Sequence, residues 1–110
     1  MCGFAGTVAL YQSAHIGQFQ SQMQAWLSQC DRLLFHRGPD SGGTYMDNNV
    51  ALGARRLRIH DLSENADQPF ELPDRGITLV LNGTIFNFRD LRQELERQGC
   101  CFRTDCDIEV

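Results

Sequence analysis

Met1-Cys2-Gly3-Phe4-Ala5-Gly6-Thr7-Val8-Ala9-Leu10-Tyr11 opens the chain. From Phe4 to Tyr11 it is apolar and partly β-branched, which predicts a strand. Chain termini are normally loose. Here the prediction builds the N-terminus into a sheet, almost from the initiator methionine.

Working outward, His15 to Cys30 places Ile16, Phe19, Met23, Trp26, Leu27 and Cys30 on one face of a helix, with Ser13 as its cap and glutamines on the outer side. The run His36-Arg37-Gly38-Pro39-Asp40-Ser41-Gly42-Gly43 breaks any helix and reads as a loop. Short strands are expected at 43–46, 49–54 and 56–60, and 61–73 reads as a connection rich in turn formers. The strongest strand signal is 77–81, running directly into Asn82-Gly83. A helix follows over 88–98, with Gly99 as its stop. A last strand is expected over 100–104. No repeat, low-complexity segment or linker interrupts this order, so 1–110 reads as one domain.

The chain has 110 residues, of which 42% are hydrophobic and 22% charged. That is ordinary globular composition, and a chain of this size buries roughly 65% of its unfolded surface. No apolar run approaches the length of a membrane span. The net charge of −4 speaks against nucleic-acid binding by charge. All ten basic residues are arginines, a bias with no reading in the sequence itself. Five cysteines form no regular framework. No Lys or Arg precedes Arg32, so neither a secretory signal nor a transit peptide is expected, and the chain reads as cytoplasmic with reduced thiols.

Four groups of residues are candidates for chemistry. If Met1 is removed, Cys2 carries a thiol and a free α-amine on one carbon, two kinds of group that in free peptides titrate at about 8.5 and about 7.7–8.0. That couples a nucleophile to a base near neutrality. Many chains also begin Met-Cys by chance. Asn82-Gly83 is either a hairpin turn or an oxyanion hole, built from the Asn amide and the Gly N–H. An arginine near 55–58 with an acid near 105–109 is either a surface charge pair or a grip for an amino-acid zwitterion. Cys100, Cys101, Cys106 and His60 do not have common structural-zinc spacing, and no metal is expected.

These motifs occur in a distinctive order: Met1-Cys2-Gly3-Phe4-Ala5-Gly6, His36-Arg37-Gly38-Pro39-Asp40, Arg56-Leu57-Arg58-Ile59, Gln68-Pro69, Asn82-Gly83-Thr84-Ile85-Phe86-Asn87 and Thr104 to Val110. The chain resembles the glutaminase domain of class II glutamine amidotransferases, which are N-terminal nucleophile hydrolases. Within that class it is most similar to glutamine-hydrolysing asparagine synthetases. The resemblance implies an α+β fold, a four-layer αββα sandwich, incomplete in this 110-residue chain. It implies that 1–110 is the N-terminal part of the glutaminase domain and that the synthetase domain is absent.

The implied reaction is hydrolysis of glutamine to glutamate and ammonia through a Cys2 thioester, with ammonia passed on for ATP-dependent asparagine synthesis from aspartate. Asn82 and Gly83 would stabilise the oxyanion. Arg56 would bind the substrate carboxylate and Asp107 its ammonium, with Leu57, Ile59, His60 and Thr84 lining the same pocket. The loop 36–40 would buttress the nucleophile strand. No cofactor is expected in this chain; ATP and Mg2+ belong to the missing domain. Expected partners are glutamine and that synthetase domain, with a homodimer compatible, and neither nucleic acid nor membrane.

Three departures from the family pattern stand out. Thr84 occupies the place of a usual glutamate, Arg58 that of a residue often small, and His60 that of one often apolar. The alternatives are a related amidotransferase with another ammonia acceptor, a catalytically silent regulatory or partner-binding module, and a truncated fragment.

Overall fold

The computed structural model describes residues 2–10, 16–59 and 61–110. Expectations for Tyr11, Ser13, His15 and His60 fall outside them. The first strand, β1 (Gly3–Val8), lies against β3 (Val50–Arg56), which also pairs with β2 (Ser41–Met46). All pairing is antiparallel and the order is β1-β3-β2, with Phe4 opposite Ala54 and Thr44 opposite Gly53. Helix α1 (Ile16–Leu34) packs on one face of this sheet. Leu27, 1% exposed, is its deepest side chain and bears on Gly53. From Phe19 to Cys30 the predicted stripe is buried or half-buried, and the helix runs one turn beyond Cys30.

The register puts Phe4, Gly6 and Val8 on the opposite face. Phe4 and Val8 remain about half exposed there, at 51% and 55%. A second small sheet is the hairpin of β4 (Phe70–Leu72) and β5 (Ile77–Leu79). Its Phe70 joins Ala66, Cys106 and Ile108 in a separate apolar cluster. The radius of gyration is 15.5 Å, against about 13 Å expected for a compact chain of this length. The molecule is thus thin, with an α+β layering of one helix on one sheet and a satellite core beside it.

Three predicted strands differ, each because side chains take the backbone groups that a ladder would need. The strands expected at 49–54 and 56–60 are one strand that stops at Arg56. Beyond it the Leu57 N–H points to Cys2 Sγ at 3.4 Å, and the Arg58 N–H donates to Asp40 Oδ2 at 2.9 Å. The strand expected over 77–81 is shortened to β5. Continuing its register would set Pro69 opposite Val80, and proline has no N–H to give. The Gln68 carboxamide takes over instead. Its Oε1 accepts the Leu81 N–H at 2.7 Å and its Nε2 donates to the Leu81 carbonyl at 3.0 Å.

The strand expected over 100–104 does not form. Cys100 N–H closes a Schellman cap on the Leu95 carbonyl, and Gly99 N–H bonds Glu96, with Gly99 at φ +94°. That cap ends α2 (Phe88–Arg97), much as the sequence predicts. Further on, the N–H groups of Arg103 and Thr104 both go to the Glu109 carboxylate, each at 2.8 Å. The connection 61–73, read as irregular, contains β4 and a one-turn 3-10 helix at Glu64–Ala66.

The arginine bias gains a physical reading. Arg55 bonds the Gly38 and Pro39 carbonyls and Asp31 while stacking on Phe35 at 4.7 Å. Arg92 stacks on Phe102 and Arg103 on Phe70, each also bonded to a carbonyl. A lysine has neither the planar fork nor the stacking face. Among the described residues no helix is long and apolar enough to cross a membrane.

Candidate active site

The fold brings the far ends of the sequence to one cavity of about 60 Å³, walled by Cys2, Arg56, Leu57 and Ile59 from the β1–β3 side. Gly83, Thr84 and Asp107 close it from the other side. Seven of the residues singled out in the sequence therefore share one wall. Asn82 is exposed and does not line the cavity, although its neighbour Gly83 does. The Asn82-Gly83 pair is not a hairpin turn: Gly83 does not adopt the positive φ of a type I′ turn, and the chain goes on through a turn at Ile85 into α2. His60 lies outside the described residues.

Cys2 is half-buried beside the end of β3. Its Sγ sits 3.4 Å from the Leu57 N–H and 3.8 Å from the Leu57 carbonyl. The loop that follows α1 fixes this end of the sheet: Pro39 bridges Arg56, and Asp40 holds the Arg58 N–H.

Arg56 is 4% exposed, and each of its terminal nitrogens has partners. One Nη donates to Asp67 Oδ1 at 2.8 Å and to the Ser63 carbonyl at 3.0 Å; the other donates to the Asp61 carbonyl and lies 3.9 Å from Cys106 Sγ. Asp107 is equally buried. Its Oδ2 accepts the Ile85 N–H at 2.8 Å and its Oδ1 accepts the Cys106 S–H at 3.4 Å. The Cys106 sulfur thus stands between the cationic and anionic ends of the cavity. Burial pushes its thiol pKa up, and contact with Asp107 adds to that.

Sequence reasoning assigned no role to Gln68, Leu81, Cys106 and Ile108, which complete the wall. Nor did it assign one to Asp67, and Glu109 entered only as one of the acids of 105–109; both hold wall segments in place. Glu109 accepts three hydrogen bonds, from the Arg103 and Thr104 N–H groups and the Thr104 hydroxyl. Among the described residues no three His, Cys, Asp or Glu side chains are gathered as a metal site.

Asp67 gives a pH-dependent contribution to stability. Burial alone would raise its carboxyl, but hydrogen bonds from Arg58, Arg56 and Ser41 outweigh that and hold it below the ordinary carboxylate range. A depressed folded-state pKa stabilises the native form fully above the unfolded value of about 3.9. The contribution is lost as pH falls from there through the folded pKa. Asp61 is shifted the same way, chiefly by the Ser63 hydroxyl and N–H. Thermal melts should therefore fall as pH drops from 5 to 3, and Asp67→Asn should flatten that decline. An equally steep decline in the variant would remove Asp67 as a source.

Comparisons with known proteins place these features. The model of the family described as "Glutamine amidotransferase domain" matches residues 1–110. The chain is 40% identical over 110 residues to "Asparagine synthetase [glutamine-hydrolyzing] 1" of Bacillus subtilis, covering 100% of this chain and 17% of that protein. It is 36% identical over 120 residues to a "Putative asparagine synthetase [glutamine-hydrolyzing]" of Mycobacterium bovis, covering 100% of this chain and 18% of the relative. To "Asparagine synthetase [glutamine-hydrolyzing] 2" of Lotus japonicus it is 39% identical over 82 residues, 74% of this chain and 14% of that one. The chain spans less than a fifth of the length of each of these relatives. With the motif order, the shared cavity and the family match in agreement, the chain belongs to the class II glutamine amidotransferase domain family.

Proposed function

We propose that this chain hydrolyses glutamine to glutamate and ammonia, and that the ammonia feeds ATP-dependent asparagine synthesis in the parent enzyme. The observation that carries the reading is the single cavity in which Cys2 meets Arg56 and Asp107, residues far apart in the sequence. A thiol, a buried guanidinium and a buried carboxylate around one small volume suit an α-amino acid presenting a side-chain amide to a nucleophile.

After loss of Met1, the Cys2 α-amine takes the thiol proton and the thiolate attacks the carboxamide carbon. A C–S bond forms and the carbonyl oxygen becomes an oxyanion, met by the Gly83 N–H and by the Asn82 amide turned inward. The proton passes to the amide nitrogen, the C–N bond breaks and ammonia leaves. Water then cleaves the γ-glutamyl thioester, releasing glutamate and restoring the thiol. Arg56 reads the substrate carboxylate and Asp107 the ammonium, while Leu57, Ile59 and Thr84 shape the pocket between them.

The same reading makes the three-stranded sheet one layer of an αββα sandwich, which gives a reason for the half-exposed Phe4 and Val8 opposite α1. It assigns ATP and Mg2+ to a synthetase domain outside residues 1–110. Five free cysteines accord with work in the reducing cytoplasm.

Incubation with 6-diazo-5-oxo-L-norleucine, a reactive glutamine mimic, followed by peptide mass spectrometry of the full polypeptide, tests this directly. One adduct on Cys2 with Met1 absent is expected. No adduct, with Met1 retained, would sink the reading.

A further inference from the structure

Arg56 is held mainly by a residue outside the cavity wall. The Asp67 carboxylate collects four hydrogen bonds: from an Arg56 Nη at 2.8 Å, from Arg58 Nε at 3.1 Å and Nη at 2.6 Å, and from the Ser41 hydroxyl at 2.8 Å. Oδ1 alone receives Arg56, Ser41 and Arg58 Nε, so its position is fixed from three directions. Arg56 is nearly buried, whereas Arg58 is 22% and Asp67 28% exposed at the side chain. A buried guanidinium without a counter-charge is costly, and it moves to find one. Asp67 is shared by Arg56 and Arg58, while Asp61 also acts on Arg56 and Asp40 and Glu64 on Arg58, so the place of the Arg56 guanidinium depends on one doubly used carboxylate.

We propose that Asp67 is a positioning residue for substrate recognition: with Ser41 and Arg58 as its own anchors, it sets the Arg56 guanidinium where the cavity can read a substrate α-carboxylate. The proposal rests on the glutaminase reading and on Arg56 as the carboxylate reader. Asp67 touches neither the substrate nor the nucleophile, so its loss should appear in substrate affinity and leave the chemical step largely intact.

The experiment is steady-state glutamine hydrolysis by the full polypeptide, with thermal melts alongside. Asp67→Asn should raise KM for glutamine about tenfold, as for a lost charge-assisted contact, with kcat held within about threefold. Asp67→Glu should recover much of the affinity. L-glutaminamide, which lacks the α-carboxylate, should show little change between wild type and Asp67→Asn. A general structural defect would raise KM for both substrates.

If Asp67→Asn fails to fold, Ser41→Ala decides. It removes one anchor of the carboxylate and, because that loss reaches Arg56 only through Asp67, should raise KM for glutamine about threefold. Unchanged KM in the folded variants of an active protein would overturn the proposal and leave the glutaminase reading standing. A wild-type protein inert to both glutamine and 6-diazo-5-oxo-L-norleucine would overturn that reading, and the proposal with it.

Discussion

Cys2→Ala is expected to lower glutamine hydrolysis by at least about 10⁴-fold, the scale on which loss of a covalent nucleophile acts. Removing the sulfur costs the fold little. Sγ approaches the Leu57 backbone at 3.4 and 3.8 Å, and sulfur is a weak donor and a weak acceptor, so little binding disappears with it. Melting temperature should therefore stay close to wild type. On the proposed thioester route the thiol serves only to release ammonia, so any acceptor reaction in the parent protein should persist when ammonium salt replaces glutamine. Cys2→Ser keeps an oxygen nucleophile of far weaker acidity and should also be strongly impaired. Glutamine hydrolysis by Cys2→Ala at near wild-type rate would remove the thioester route altogether.

The second large effect is on the fold. Gly38→Ala should destabilise the protein on the order of 4 kcal/mol, or leave it insoluble. A methyl group at Gly38 would stand 2.5 Å from Arg56 N and 2.6 Å from the carbonyl carbons of Arg55 and Arg56. These are backbone atoms at the end of β3, so no side-chain rotation relieves the contact. The φ of Gly38 is −151°, which any residue adopts, and the whole cost is therefore steric. Relief would push the loop at 38–40 away from β3, parting Arg55 from the Gly38 carbonyl and Asp40 from the Arg58 N–H. Both interactions flank Arg56 and Leu57, so activity should fall with stability. Gly17→Ala is the control. A methyl group there meets nothing within 4 Å, and alanine suits a helix better than glycine, so the protein should lose no stability. Equal stability of the two variants would exclude the close approach as the cause.

What is legible in the sequence divides along a physical line. Periodicity locates α1, α2 and the strands of the main sheet, because Phe19, Met23, Trp26 and Leu27 bury one face and Gly99 can close a helix. Motif order alone groups Cys2, Arg56, Gly83 and Asp107. Strand predictions at 56–60 and 100–104 fail and the one at 77–81 is cut short at Leu79, because apolar and β-branched residues mark burial, and burial does not guarantee a ladder. In each case a polar side chain intercepts the backbone: Asp40 at Arg58, Gln68 at Leu81, Glu109 at Arg103 and Thr104. Such hydrogen bonds join residues up to eighteen positions apart and leave no periodic trace. The supporting role of Asp67 is hidden for the same reason, since an acid in a turn-rich connection reads as a solvated charge until its four donors are seen.

The cavity joins the second residue of the chain to residues beyond one hundred, and this sets a timetable for the newborn protein. Synthesis at roughly 5–20 residues per second separates Cys2 from Asp107 by roughly 5–20 s. Until that interval ends the thiol has no Asp107 carboxylate beside it, and for most of it no Gly83 amide either. The methionine ahead of it can be trimmed while the amino terminus is still open to solvent. On the proposed glutaminase reading, the Cys2 thiol is thus exposed before its cavity is complete, and the order of translation withholds turnover from the unfinished chain.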